Sequence, residues 1–210
     1  PLSEKIENYE ELKEYFKKLS KKPVTVIMNA KNLIYEKYEP PNTKKFTIKF
    51  IGTIDPSRNL LPLIDIVEDR DNIRCVIAGK GHDKDHIKLI KKRCEKKNNC
   101  EFIGRIPMSK VIPETRSADV VYCLTSAYSL DVNWPVDINL PPRFGLANKV
   151  FESMVAGRPI IVGKNTYNEI FTKKIRCGIA AENTKEDIRK VILKLKNNPK
   201  IKKKMGEKGF

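Results

Sequence analysis

Residues 144–162 read FGLANKVFESMVAGRPIIV, and this stretch decides the fold. Leu146, Val150, Phe151, Met154 and Val155 keep helical spacing, Gly157 stops the helix, and Pro159-Ile160-Ile161-Val162 opens a β-branched strand. A helix, a glycine turn and a continuously apolar strand form one unit of a parallel sheet. Within it Glu152 is out of place, a carboxylate among core-facing neighbours near the rim where strands end. Such a charge needs a partner. Two readings are open: a helix-surface glutamate paired with Lys149 or Arg158, a contact of about 0–1 kcal/mol, or a ligand-binding group.

Outward from this unit the same alternation continues. Strand-like runs fall at Val24 to Met28, Phe46 to Ile51, Ile73 to Ala78, Glu101 to Ile103, Asp119 to Leu124, Pro159 to Val162 and Gly178 to Ala181. Between them the spacing predicts helices at Tyr9 to Leu19, Asn59 to Val67, Lys84 to Lys96, Met108 to Arg116, Gly145 to Ala156, Asn168 to Lys173, Lys185 to Asn197 and Pro199 to Lys208. Short apolar strands alternating with amphipathic helices give an α/β fold, a parallel sheet with helices on both faces.

Composition sets bounds. The 210 residues are 40% hydrophobic, enough for one core. No apolar run approaches the ~18 residues that span a bilayer, and no signal-peptide pattern opens the chain; the expectation is a cytoplasmic protein. Five cysteines, Cys75, Cys94, Cys100, Cys123 and Cys177, include no CxxC pair. Several fall in strands, so buried thiols are expected rather than disulfides or a zinc site. The net charge of +16 raises nucleic-acid binding. Yet the lysines are spread through helices, as in EYFKKLSKK, KLIKKRCEKK and KLKNNPKIKKK, with no helix-turn-helix, aromatic RNP pattern or zinc spacing beside them. A solvated lysine surface is the first reading, contact with an anionic membrane the second, and nucleic acid the last.

Residues 148–159, asparagine, lysine, two residues, glutamate, then Gly-x-Pro, resemble the donor-site signature of retaining glycosyltransferases of the GT-B fold, glycosyltransferase family 4 ("group 1"). Other segments are similar to family elements in the same order: FTIKFIGTIDPSRNLLPLI (46–64), RCVIAGKGHD (74–83), CEFIGRIP (100–107) and SADVVYCL (117–124). The resemblance covers roughly residues 24 to 208 and rests on order and spacing together rather than on one motif. It implies a Rossmann-like sheet, one half of a GT-B fold.

Gly52 allows close backbone approach; by this resemblance Gly79, in the family's Gly-x-Gly element, is a donor-binding residue, and Arg58 and Lys149 serve catalysis by holding the diphosphate. Arg58 is read as opening the helix after the Asp55-Pro56-Ser57 turn, where amide dipoles favour an anion; a surface pair with Asp55 is its other reading. The family often carries two basic residues around this turn. Here Thr53 takes the first position, and Lys149 is the substitute charge. Glu152 is implied to accept both ribose hydroxyls, since its two oxygens suit two adjacent donors. The amides of Gly145, Leu146, Ala147 and Asn148 would receive the β-phosphate or sugar. Phe102, Arg105 and Ile106, at a strand's end, would hold the base. No metal or other cofactor is expected.

One departure concerns catalysis. Many family members carry two glutamates separated by seven residues, but eight before Glu152 stands Phe144, and counted from the Phe-Gly pair the position is Pro142. The long segment Ser126 to Arg143, with Trp134 and Asp137, is either a replacement or a cover. Gly79-Lys80-Gly81 lacks a third glycine, since Lys84 stands there. Asp69-Arg70-Asp71 and Asp83-Lys84-Asp85 mimic a metal-binding acidic pair, with helix capping the plainer reading. His82 and His86, the only histidines, read as surface residues, although His82 sits beside Gly81.

Residues 1–45 read as a remnant of an amino-terminal domain and an interdomain connector, and 46–210 as a nucleotide-sugar-binding domain; a complete small single-domain protein is the other reading. The implied activity is transfer of a sugar from a UDP-, GDP- or ADP-linked donor, with retention and without metal, to a lipid-linked or glycan acceptor. The protein would sit in the cytoplasm or at the inner face of the membrane. The alternatives are a nucleotide-sugar epimerase of the same fold and a non-enzymatic basic nucleic-acid-binding or scaffold module.

Overall fold

The computed structural model describes residues 9–27, 29–68, 70–125 and 145–210; the long segment 126–143, with Trp134, Asp137 and Pro142, and Phe144 after it lie outside the described residues. Helix α1 (Tyr9–Ser20) leads to an irregular connector, followed by β1 (Phe46–Thr53), α2 (Leu60–Glu68), β2 (Ile73–Lys80), α3 (Lys84–Glu95), β3 (Cys100–Gly104), α4 (Met108–Arg116) and β4 (Val120–Cys123). Then come α5 (Asn148–Val155), β5 (Ile160–Gly163), α6 (Tyr167–Ile175), β6 (Gly178–Ala181), α7 (Lys185–Asn197) and α8 (Pro199–Gly209).

The six strands lie in the order β3-β2-β1-β4-β5-β6, every pair parallel. The alternation of side chains along β1 and β4 builds two layers. Ile48, Phe50, Val120, Tyr122 and Leu124 face a core shared with α2 and α7, through residues such as Leu60, Leu63, Ile188 and Ile192. Val121 and Cys123 face the other layer with Val150 of α5, and Ile51 packs with Val111 of α4. Both faces are covered, which explains strands that are apolar at nearly every position. All five cysteines are free and buried, and the sulfurs of Cys94 and Cys100 stand 2.9 Å apart.

Three details differ from the sequence reading. The run Val24 to Met28 forms no strand over its described residues 24–27, and Ile27 is 89% exposed; β-branched residues make a strand only where a neighbour takes up their backbone groups. Arg58 does not open a helix. It ends a single 3₁₀ turn over Pro56–Arg58, Asn59 in the left-handed conformation (φ 50) separates the two, and α2 begins at Leu60. Helix α5 starts at Asn148 rather than Gly145, because Ala147 is extended (φ −70, ψ 136).

The connector is strapped to the sheet domain. Arg158, only 2% exposed, donates to the carbonyls of Glu39 (2.7 Å), Arg116 (2.8 Å) and Gly157 (2.9 Å). Arg116 pairs with Glu39 at 3.0 Å and lies over the Tyr35 ring. Thr43 donates to Asp119, which also pairs with Lys202. Tyr38 packs edge-on against Phe210. The arginine of the Gly-x-Pro turn is thus a structural clamp and not a partner of Glu152.

Gly206 of α8 closes this contact. A Cβ there would stand 2.6 Å from the Gly157 carbonyl oxygen and 2.9 Å from the Tyr38 ring. Gly206→Ala gains helix propensity of about 1 kcal/mol but forces a backbone carbonyl to shift, and overpacking costs about 1–3 kcal/mol. The expected outcome in urea unfolding is a lower midpoint with an unchanged slope; a midpoint at or above the parent's contradicts this packing account.

Candidate functional site

The strand order reverses between β1 and β4: the chain runs outward through β2 and β3, then returns to lay β4 on the other side of β1. In an open parallel sheet this reversal leaves a crevice at the carboxyl ends of the two strands. Gly52, near the end of β1, pairs in register with Gly79 of β2. Gly79 tolerates no side chain, because a Cβ would overlap the Gly52 carbonyl oxygen, while at Gly52 the φ of 153 disfavours one and a Cβ would displace the Lys149 ammonium. Gly81 is crowded in the same way by the Ile54 carbonyl.

Lys149, half-buried in the first turn of α5, therefore reaches across the rim to β1, with its ammonium 4.9 Å from the centre of the Phe50 ring. Arg58 comes from the other wall. Its Nε donates to Asp55 at 3.0 Å and one terminal nitrogen to Thr125 Oγ1, just beyond β4, at 2.7 Å. Burial opposes the ionisation of Asp55, but hydrogen bonds from Ser57 and the Arg58 guanidinium outweigh it and hold the carboxyl below its usual range. The Arg58–Asp55 pair expected as an alternative is thus present, and it orients the guanidinium along the rim.

Glu152 is 7% exposed. Its ion-pair partner is Lys31 of the connector, at 3.3 Å, and not Lys149, whose ammonium lies beside Gly52 and the Phe50 ring, or Arg158, whose guanidinium is held by carbonyls. The buried Cys123 thiol at the end of β4 reports how closely these groups converge. Burial pushes it up, Lys149 and Arg58 pull it down, and Glu152 pushes it up again. Three charges from two segments, the Pro56–Arg58 turn and helix α5, therefore act on one point at the switch between β1 and β4.

The amino end of α5 has no side-chain cap, like those of α4 and α8, whereas α3, α6 and α7 are capped by Asp83, Thr166 and Thr184. One expected anion donor is nevertheless already engaged: the Ala147 amide donates to Asn168 Oδ1 at 2.8 Å. Asn168 is 5% exposed and must satisfy its oxygen within the protein. The α5 amides left to face a ligand belong to Asn148 and Lys149, with Gly145 and Leu146 in the approach to the helix. Asn148 in turn accepts from Asn29 of the connector at 3.0 Å.

At the outer part of the same rim, β3 pairs Gly104 with Ala78. Gly104 has φ 70, and a Cβ there would meet nothing within 4 Å. Arg105 is exposed, Phe102 leans on the main core, and Ile106 packs beside Ile51 and Val111. His82 is exposed, and Asp83 caps α3 as expected. A pocket of about 460 Å³ opens at the opposite, amino-end rim between Lys44, Lys45, Lys49, Arg74 and Asn99. Its buried groups are already engaged: Lys49 bonds Glu114 (2.6 Å) and Ser117 (2.7 Å), and Asn99 bonds the Val67 and Arg70 carbonyls.

Lys31, Asn29, Thr125 and Asn168 were not singled out in the sequence. Asn168 opens a recognisable helix, but no local spacing relates Lys31 to Glu152.

The sequence matches the family of glycosyl transferases group 1 over residues 33–210. No curated protein matches the chain. Among solved structures the fold is similar to Staphylococcus aureus TarM, as a mutant with fondaparinux, alpha-GlcNAc-glycerol and UDP (TM-score 0.70, 17% identity, 96% of this chain and 38% of TarM). It is also similar to Anabaena HepE in complex with UDP-glucose (TM-score 0.64, 14% identity, 79% of this chain and 43% of HepE). A third is the C-terminal domain of the Francisella tularensis group 1 glycosyl transferase LpcC (TM-score 0.61, 20% identity, 81% of this chain and 84% of that domain). The chain spans less than half the length of TarM and HepE. Because the match from residue 33 to 210 takes in well over half of the sequence, the chain belongs to the group 1 glycosyl transferases.

Proposed function

We propose that these residues form the donor half of an enzyme that transfers a sugar from a nucleoside-diphosphate sugar, with retention and without a metal ion. The observation that carries this reading is the meeting of Lys149 and Gly52 at the switch point, with Arg58 on the facing wall and Glu152 one turn along α5. A diphosphate laid over Gly52 would meet the Lys149 ammonium, the Arg58 guanidinium and the amides of Asn148 and Lys149. The Arg58 guanidinium is already oriented by Asp55 and Thr125, so with the helix amides it would stabilise charge on the departing diphosphate with little reorganisation, a role otherwise suited to a divalent cation. Glu152 would take the ribose hydroxyls, and the backbone from Phe102 through Arg105 to Ile106 the base. The UDP and UDP-glucose named with HepE and TarM make uridine diphosphate the first ligand to try.

Residues 1–45 we assign to an amino-terminal acceptor domain and the connector, with 46–210 as the donor domain. An acceptor carried on a lipid or glycan fits the basic surface, whose +16 charge would hold the protein at the anionic inner face of a membrane. No described helix is long and apolar enough to cross one.

Calorimetry tests the site: the chain should bind uridine, guanosine or adenosine diphosphate with the same affinity in chelator and in magnesium. Binding of duplex oligonucleotide at moderate salt, with no nucleoside diphosphate bound, contradicts it. Glu152→Gln should weaken the nucleotide by about 1.5–3 kcal/mol, the scale of hydrogen bonds to a charged group; an unchanged affinity removes Glu152 from the site. These 210 residues alone should show no transfer to any acceptor, because orienting the second substrate supplies much of the rate. Measured transfer by the isolated chain would refute the two-domain reading.

A further inference from the structure

We propose that Lys31 of the connector is a positioning residue for Glu152: it fixes the carboxylate that reads the ribose and thereby couples the connector to nucleotide recognition. The inference rests on Glu152 as ribose ligand and goes beyond it by assigning how the carboxylate is held.

Glu152 is 7% exposed, so its charge depends on a counter-charge from the protein. The two basic residues nearest in sequence are committed elsewhere. Lys149 lies against Gly52 and Phe50, and Arg158 is spent on three backbone carbonyls. Lys31 fills the role from 121 positions away, at 3.3 Å from Oε1. It is itself held in place from both sides. Two residues before it, Asn29 is bonded to Asn148 in the first turn of α5; four residues after it, Tyr35 lies beneath Arg116.

This arrangement is compatible with a bound ribose. A carboxylate offers about four acceptor positions on two oxygens; one contact to Oε1 leaves room for two hydroxyl donors. The ion pair then does two things. It holds the carboxylate plane in one orientation, and it keeps Glu152 from drawing in Lys149, which stands one turn away on the same helix and is needed at Gly52. Without Lys31, the carboxylate must take Lys149 or water as its partner. Either change blunts recognition of the ribose hydroxyls.

The test compares the full chain with its Lys31→Met, Lys31→Arg, Glu152→Gln and Lys31→Met/Glu152→Gln variants, titrated with uridine diphosphate and its 2′,3′-dideoxy analogue. The parent should prefer the ribonucleotide by about tenfold or more, as expected for hydrogen bonds to a charged group. Lys31→Met should reduce that preference to within about threefold, Lys31→Arg should restore most of it, and Lys31→Met should have no further effect once Glu152 is glutamine. A merely structural lysine would weaken both ligands equally, so an undiminished preference in Lys31→Met overturns the inference. Lys31→Gln takes the place of the Met variant if thermal unfolding shows the latter misfolded. A parent that fails to tell the two nucleotides apart removes Glu152 from the ribose and this inference with it. A parent that discriminates while Lys31→Met discriminates equally sinks the inference alone.

Discussion

The carboxyl-end rim depends on a missing atom. Because Gly52 has no Cβ, the Lys149 ammonium can lie on the backbone of β1, and because Gly79 has none, β2 can run alongside with its backbone against the Gly52 carbonyl. Remove either freedom and Lys149 must turn outward, the end of β1 must separate from β2, or both. A chain of consequences follows from this contact. With Lys149 laid over β1, the carboxylate takes its partner from the connector. The connector in turn is kept near by Arg158 and Arg116.

That strap explains why a buried arginine occupies the middle of the Gly-x-Pro turn. A guanidinium removed from water is costly unless its donors are used, and Arg158 uses them on the carbonyls of Glu39, Arg116 and Gly157. The same turn therefore ends α5, opens β5 and anchors the connector, so that the segment carrying Lys31 arrives next to the helix that carries Glu152.

Where structure follows from neighbours in sequence, the sequence made it legible. Strands β1 to β6 and helices α2 to α8 were foreseen to within a few residues, because each records its own burial as a run or a period of apolar positions. The Asn148–Glu152 motif stood out by its resemblance in order and spacing, and spacing on one helix places Lys149 and Glu152 one turn apart. Failures came where a distant partner decides. Val24 to Met28 has strand composition, but among the described residues no strand pairs with it. Arg58 sits at a turn whose left-handed Asn59 breaks the helix one residue later than composition suggests. The Ala147 amide faces Asn168, and the Glu152 carboxylate faces Lys31. Both contacts depend on how segments pack after folding, and neither leaves a local pattern.

The central claim is that the nucleotide lies at the switch between β1 and β4. Backbone amide resonances followed while uridine diphosphate is titrated into the labelled chain would locate it directly. The account predicts that the largest shifts fall on Gly52, Gly79, Asn148 and Lys149, with Thr47, Arg74 and Asn99 at the opposite rim unmoved. Shifts centred on Lys45, Arg74 and Asn99, in the basic pocket at the amino ends of the strands, would contradict it.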